Sequence, residues 1–172
     1  MTRSRTIAIL ALLSLSVMTP VLAQDGSQKA AADFKRLVGL WYCDNRTLGE
    51  GSHAYKSIWE FKTEFGDRTY VGRWREVRSQ EHAQPNNGIS LWSYDAKAKR
   101  YVLDGLDFGT SRYTWTSDPS EWTDKYPFRY VWSAEGFRLP IHRKDSNEWT
   151  FAAEVQDGAK WTTVAEGTCK KQ

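Results

Sequence analysis

The stretch Ile89 to Phe108 (ISLWSYDAKAKRYVLDGLDF) constrains this chain most, because it alternates with a period of two on both sides of a polar break. In its first run Ile89, Leu91 and Ser93 share one face, and Trp92 and Tyr94 share the other. In its second run Tyr101, Leu103, Gly105 and Asp107 oppose Val102, Asp104, Leu106 and Phe108. A period of two marks a strand, since successive side chains point to opposite faces. The break, Asp95 to Arg100, is too polar for a core and too short for a helix, so the two runs read as a β-hairpin.

The theme recurs along the chain. Strand one starts at Gly39, with Trp41, Cys43 and Asn45 on one face. From His53 to Thr63, Tyr55, Ser57, Trp59 and Phe61 share a face; Glu64 to Asp67 is turn chemistry. From Arg68 to Val77, Tyr70, Gly72, Trp74 and Glu76 share a face, and Gly72 marks a bend or a close backbone approach. Tyr113 and Trp115 follow, then Phe128, Tyr130 and Trp132, then Phe137, Leu139 and Ile141. Pro140 marks that last run as an edge or bulged strand. Trp149, Phe151, Ala153 and Val155 face inward before the tight Asp157-Gly158 reversal and a final strand from Trp161 to Cys169. There is no composition break and no internal repeat.

Consecutive hairpins favour a meander, and a meander this long removes its edges by closing. The sequence therefore predicts an all-β fold, an up-and-down antiparallel β-barrel of about 9–10 strands. A two-layer sandwich is the alternative. Ala30 to Leu37 adds a short N-terminal helical turn, with Phe34 and Leu37 packing on the barrel end.

The N-terminus reads as a leader for export. Arg3 and Arg5 precede the apolar run Ile7 to Val17, and Val21-Leu22-Ala23 is a small-residue cleavage site. Residues 1–23 are then a signal peptide cleaved near Ala23, 24–36 a polar leader, and 37–172 the barrel domain. The destination is the periplasm or the extracellular space. The apolar run is too short to predict stable membrane insertion. Setting aside Arg3 and Arg5 leaves 22 basic against 21 acidic residues. That balance gives no electrostatic case for a nucleic-acid partner.

Cys43 and Cys169 are the two cysteines, and in an oxidising compartment they make one disulfide. It closes a loop of about 125 residues, an entropic stabilisation of about 4–5 kcal/mol at most. His53, His82 and His142 lie in separate elements without metal-ligand spacing, so no metal site is expected. No motif for a cofactor, a phosphate loop or a nucleophile elbow is present.

Nine tryptophans, eight tyrosines and seven phenylalanines call for a large aromatic interior. Tyr55, Trp59, Trp74, Tyr113, Trp132 and Phe151 are the candidates to line a ligand cavity. The competing reading is a barrel simply filled with rings. Glu76 shares a face with Trp74, and Asp107 with Tyr101 and Leu103; the two alternatives are that those faces point inward, or that both residues sit near strand ends. On an inward face a carboxylate has a raised pKa and serves as a general base; at a strand end water reaches it and it does neither. Arg73, Arg75, Arg112, Arg129 and Arg138 fall opposite most of the aromatics, on exposed faces. Trp92 and Trp122 are candidates for a surface that binds glycan or a partner protein.

Four segments carry a family resemblance: Leu37-Val-Gly-Leu-Trp41, Gly72-Arg-Trp74, Tyr94-Asp95 with Lys99-Arg-Tyr101, and Asp157-Gly-Ala-Lys-Trp161 with Glu166-Gly-Thr168. Together they resemble bacterial lipocalin-like proteins of the calycin type, a family of unknown function. Gly39-x-Trp41 resembles the lipocalin opening motif, where tryptophan plugs one barrel end. The resemblance implies a barrel with a central cavity and no family-wide activity. The expected function is therefore binding of a small, partly apolar ligand in an aromatic-lined cavity, by a monomer or weak dimer without a cofactor. The alternatives are a small isomerase, cyclase or hydratase using Glu76 or Asp107, and the surface-tryptophan binder.

Overall fold

Beyond Lys35 the alternation of rings and charges leaves little that favours helix, and strands take up most of the chain. The computed structural model describes residues 21–64, 69–108 and 111–172. Helix α1 (Val21–Lys35) leads into β1 (Gly39–Thr47), β2 (Ala54–Glu64), β3 (Thr69–Val77), β4 (Asn87–Asp95) and β5 (Arg100–Asp107). Then come β6 (Arg112–Ser117), β7 (Phe128–Ala134), β8 (Phe137–Arg143), β9 (Glu148–Asp157) and β10 (Lys160–Lys171). Each strand pairs antiparallel with its chain neighbour, and β1 pairs with β10, which closes the barrel. The up-and-down barrel expected from the sequence is the fold, and the sandwich is excluded. The expected turn at 65–67 and residues 1–20 of the expected signal peptide lie outside the described residues.

Cys43 and Cys169 face each other across the β1–β10 closure and form the expected disulfide. The opposite side of the ring is thinner: β6 and β7 share one registered pair, Thr116 with Ser133.

Two expectations are corrected, and one is extended. The short N-terminal helix is present and begins before Ala30, so that residues 24–29 belong to α1. Lys29 and Asp33 tie it to the barrel end. Asp33, 1% exposed, accepts from Lys29 Nζ and from the Tyr101 hydroxyl, both at 2.5 Å, and lies 3.4 Å from Arg36 Nη2. Tyr70 donates to the Ala31 carbonyl at 2.9 Å. Phe34 inserts its ring among Tyr70, Trp92, Tyr101 and Trp122, with centroids 4.8–5.8 Å apart.

Pro140 makes neither an edge nor a bulge. Its missing N–H leaves Leu139 and Pro140 out of the β8–β9 ladder, while Arg138 opposite Glu154 and Ile141 opposite Phe151 keep one register. Finally, Trp92 and Trp122 are not surface residues, being 5% and 2% exposed. Trp92 shares the inward parity of Ser90 and donates to its hydroxyl at 2.8 Å. Trp122 donates to Ser117 at 3.0 Å, its ring against Tyr130. The outward face of β4 carries Leu91, 49% exposed.

Trp41 is fully buried at the helix-covered end, its indole N–H donated to the Leu37 carbonyl at 2.8 Å. Two cations stack on it: the Arg143 guanidinium at 4.9 Å and Lys171 Nζ at 5.4 Å. Burial and the Arg143 charge push the Lys171 amine below its usual range. One end of the barrel is thus sealed by α1, Trp41 and the Trp122 loop.

Candidate functional site

The inward faces of the strands enclose a cavity of about 270 Å³. All six residues expected to line it do so: Tyr55, Trp59, Trp74, Tyr113, Trp132 and Phe151. Glu76 lines it too and is the one charged side chain among its described lining residues. Towards the sealed end the rings are tightly packed, with Trp132 1% exposed and its ring 5.0 Å from Trp92. At the other end Tyr55, Trp74, Glu76 and Tyr113 are half-buried, and this end is the mouth. The barrel is therefore filled in its deep half and hollow near its mouth, which joins the two sequence readings.

Strand parity and a missing side chain shape the mouth. Trp59 stacks on Trp74 at 5.7 Å and 22° across the β2–β3 pair. Tyr113 lies flat over Gly105, where a Cβ would come within 2.1 Å of its ring. Its hydroxyl accepts from Trp74, while burial holds its pKa above the usual tyrosine value. Burial, followed by the charge of Glu76, pushes the Tyr55 phenol up to about 12, so it stays a neutral donor at neutral pH.

Glu76 is held by two donors on one oxygen. His82 Nε2 and the Asn86 backbone N–H each lie 2.7 Å from Oε2, and Oε1 makes no hydrogen bond among the described residues. Beyond His82 stands His53, its Nε2 2.9 Å from His82 Nδ1. His53 Nδ1 in turn meets the Gly51 carbonyl and the Thr47 hydroxyl, both at 3.2 Å. A continuous chain of hydrogen-bonding groups leads from the cavity wall to the β1–β2 loop. Tyr55 stacks on His82 at 4.8 Å and braces it. Asp107 stands apart from the cavity lining and accepts from the Asn86 amide at 2.6 Å. Among the described residues no cluster of His, Cys, Asp and Glu is suited to a metal ion.

No known family model matches the chain, and no curated protein matches it in sequence. By structure it is similar to an S-type phycobiliprotein lyase from Guillardia theta, with a TM-score of 0.51 at 10% identity. The match covers 89% of this chain and 98% of that one. The fold is lipocalin-like. At this identity the likeness speaks for the architecture alone.

Within this lipocalin-like barrel the five exposed-parity arginines behave as expected. Arg73, Arg75, Arg112 and Arg129 are exposed, and Arg138 pairs with Glu154 while covering the Trp161 ring at 4.4 Å. Sequence reading missed Arg143, Asp33 and the His53–His82 pair. Arg143 had a signal: it continues the inward parity of Leu139 and Ile141. The histidines sit on loops, where no periodicity reveals who meets whom.

Proposed function

We propose that this protein is an exported lipocalin-like barrel that binds a small, partly apolar molecule in its aromatic cavity. The observation that carries this reading is the cavity itself: about 270 Å³, walled by stacked rings, with a half-exposed mouth. That volume lies just below the usual range of small-molecule pockets, and a mostly apolar wall with few polar groups is what such pockets have. A phycobiliprotein lyase shares the fold, which is compatible with the reading. The four sequence segments support placing the chain among the bacterial lipocalin-like proteins of the calycin type. Residues 1–23 act as a signal peptide cleaved near Ala23, and the working location is the periplasm or outside the cell. The disulfide supports that location, since such bonds persist in oxidising compartments.

The test is native against denaturing mass spectrometry of the protein taken from its own compartment. A small mass that leaves on unfolding is the expected result. Protein free of any added mass, together with no binding of small aromatic probes by calorimetry, would remove the reading.

A second reading, a small isomerase, cyclase or hydratase, is favoured by one observation: Glu76 lines the cavity with a hydrogen-bonded histidine behind it. Its test is to incubate the released ligand with wild-type protein and with Glu76→Gln. Conversion by the wild type alone supports catalysis, and an unchanged ligand in both rules it out.

A further inference from the structure

The mouth of the cavity has an unbalanced chemistry. Its walls are aromatic faces, and Glu76 is the one ionisable carboxylate or cation among the described lining residues. No lysine or arginine pairs with Glu76 among the described residues; its partners are His82 and the Asn86 amide, both on Oε2. The second oxygen is left for something else. Trp74 lies two residues before Glu76 on the same face of β3, and Tyr55 lies beside Ser57, the residue opposite Glu76 on β2. Tyr113 joins Trp74 from β6.

A carboxylate sharing a cavity wall with tryptophan and tyrosine rings is an arrangement that recognises an organic ammonium ion. The ring quadrupoles attract the cation from the side, and the carboxylate supplies the formal charge. A carboxylate or phosphate ligand would meet repulsion from Glu76 with no guanidinium to offset it. A neutral ligand with an O–H or N–H can donate to Oε1 but brings no charge to meet it. We propose that the cavity takes an organic cation, an amine or quaternary ammonium on an apolar body, with the charge at the mouth against Glu76 and the body between Trp59 and Trp132. This rests on the ligand-binding reading and adds the ligand's chemical class.

Three probes of equal length separate the two claims: 3-phenylpropylammonium, 3-phenylpropan-1-ol and 3-phenylpropanoate, titrated into the full-length mature protein by calorimetry. The ammonium is expected to bind about tenfold tighter than the alcohol, the size of a partly desolvated cation–π and carboxylate contact. The carboxylate binds weakest. In Glu76→Gln the ammonium loses most of its advantage over the alcohol, and in Tyr55→Leu that advantage shrinks several-fold. If the alcohol binds and the ammonium binds no better, the cation assignment is wrong while the binding reading stands. If none of the three binds, the cation assignment is wrong, and the binding reading falls with it once the native mass shows no carried ligand. The wild-type comparison decides the point even where a variant fails to fold.

Discussion

His53 Nε2 and His82 Nδ1 face each other at 2.9 Å, and only one of the two nitrogens can carry the proton between them. His82 Nε2 lies 2.7 Å from a carboxylate oxygen that can only accept, which makes it the donor. His82 Nδ1 then accepts from His53 when His82 is neutral. A proton on both facing nitrogens sets two donors against each other and breaks the contact. This pair joins the β1–β2 loop to the β3–β4 loop over the cavity mouth. The groups around it are Glu76 on β3, Tyr55 on β2, Thr47 and Gly51 before His53, and Asn86 with Asp107 behind Glu76.

Removing His82 is therefore expected to free these two loops together. In His82→Gln, amide hydrogen exchange read by mass spectrometry should rise in residues 48–53 and 78–86 and stay low in β4 and β5. Exchange that stays at the wild-type level would rule out a clasp.

At the alkaline end the inward tyrosines decide stability. The Tyr55 phenol is raised to about 12 from the usual 10.0, chiefly by burial. Tyr101 and Tyr130 are raised further, burial again leading and Asp33 contributing to both. A group whose folded pKa lies above its unfolded one contributes its full stabilisation below the unfolded value and loses it as pH climbs towards the folded value. The urea midpoint should therefore fall steadily from about pH 10 to pH 12, and Tyr101→Phe should flatten part of that fall. An unchanged midpoint across this window would count against buried neutral phenols.

Asp33 anchors the helix. Asp33→Ala would leave the Tyr101 hydroxyl without its acceptor in a fully buried position, while Lys29 keeps the Trp122 carbonyl and Arg36 keeps Asp124. The expected loss is about 2 kcal/mol, seen as a lower denaturant midpoint with the same slope. Asp33→Asn, which can still accept from Tyr101, should lose less.

Reduction of Cys43–Cys169 is expected to cost up to about 4–5 kcal/mol, because the bond closes nearly the whole barrel sequence. Chemical denaturation of Cys43→Ser/Cys169→Ser against wild type measures it. Equal stability would mean that the ladder alone holds the closure.

The barrel was legible because strand parity is local. Tyr55, Trp59 and Phe61 alternate with Lys56 and Glu60, and that pattern alone aims the rings inward. The same parity put Trp74 and Glu76 on one face of β3 and left open which way that face turns; the closed barrel turns it to the cavity. It was less useful for Trp92, since either face of ISLWSY holds apolar residues. The neighbours that decide the matter, Ser90 and Gly72 beneath the ring, are visible only once β3 and β4 are paired. The helix was underestimated because its first half reads as polar leader. What ties it down is far along the chain: Tyr101 donates to the buried Asp33, and the Trp122 carbonyl accepts from Lys29. His53 and His82 are 29 residues apart on two loops, and a loop's path is not written in any period.

The order of strands around the ring bears on how the molecule assembles in time. Every seam but one joins neighbours in the chain, so hairpins can zip one after another with little search. The exception, β1 with β10, brings together residues 126 apart in sequence. Until that last encounter the sheet is an open ribbon with two bare edges, the form most prone to pair with other copies. A chain delayed at this step would aggregate through its ends. The residues to blame would be the backbone of Gly39–Thr47 and Lys160–Lys171, with the aromatic interior a bystander.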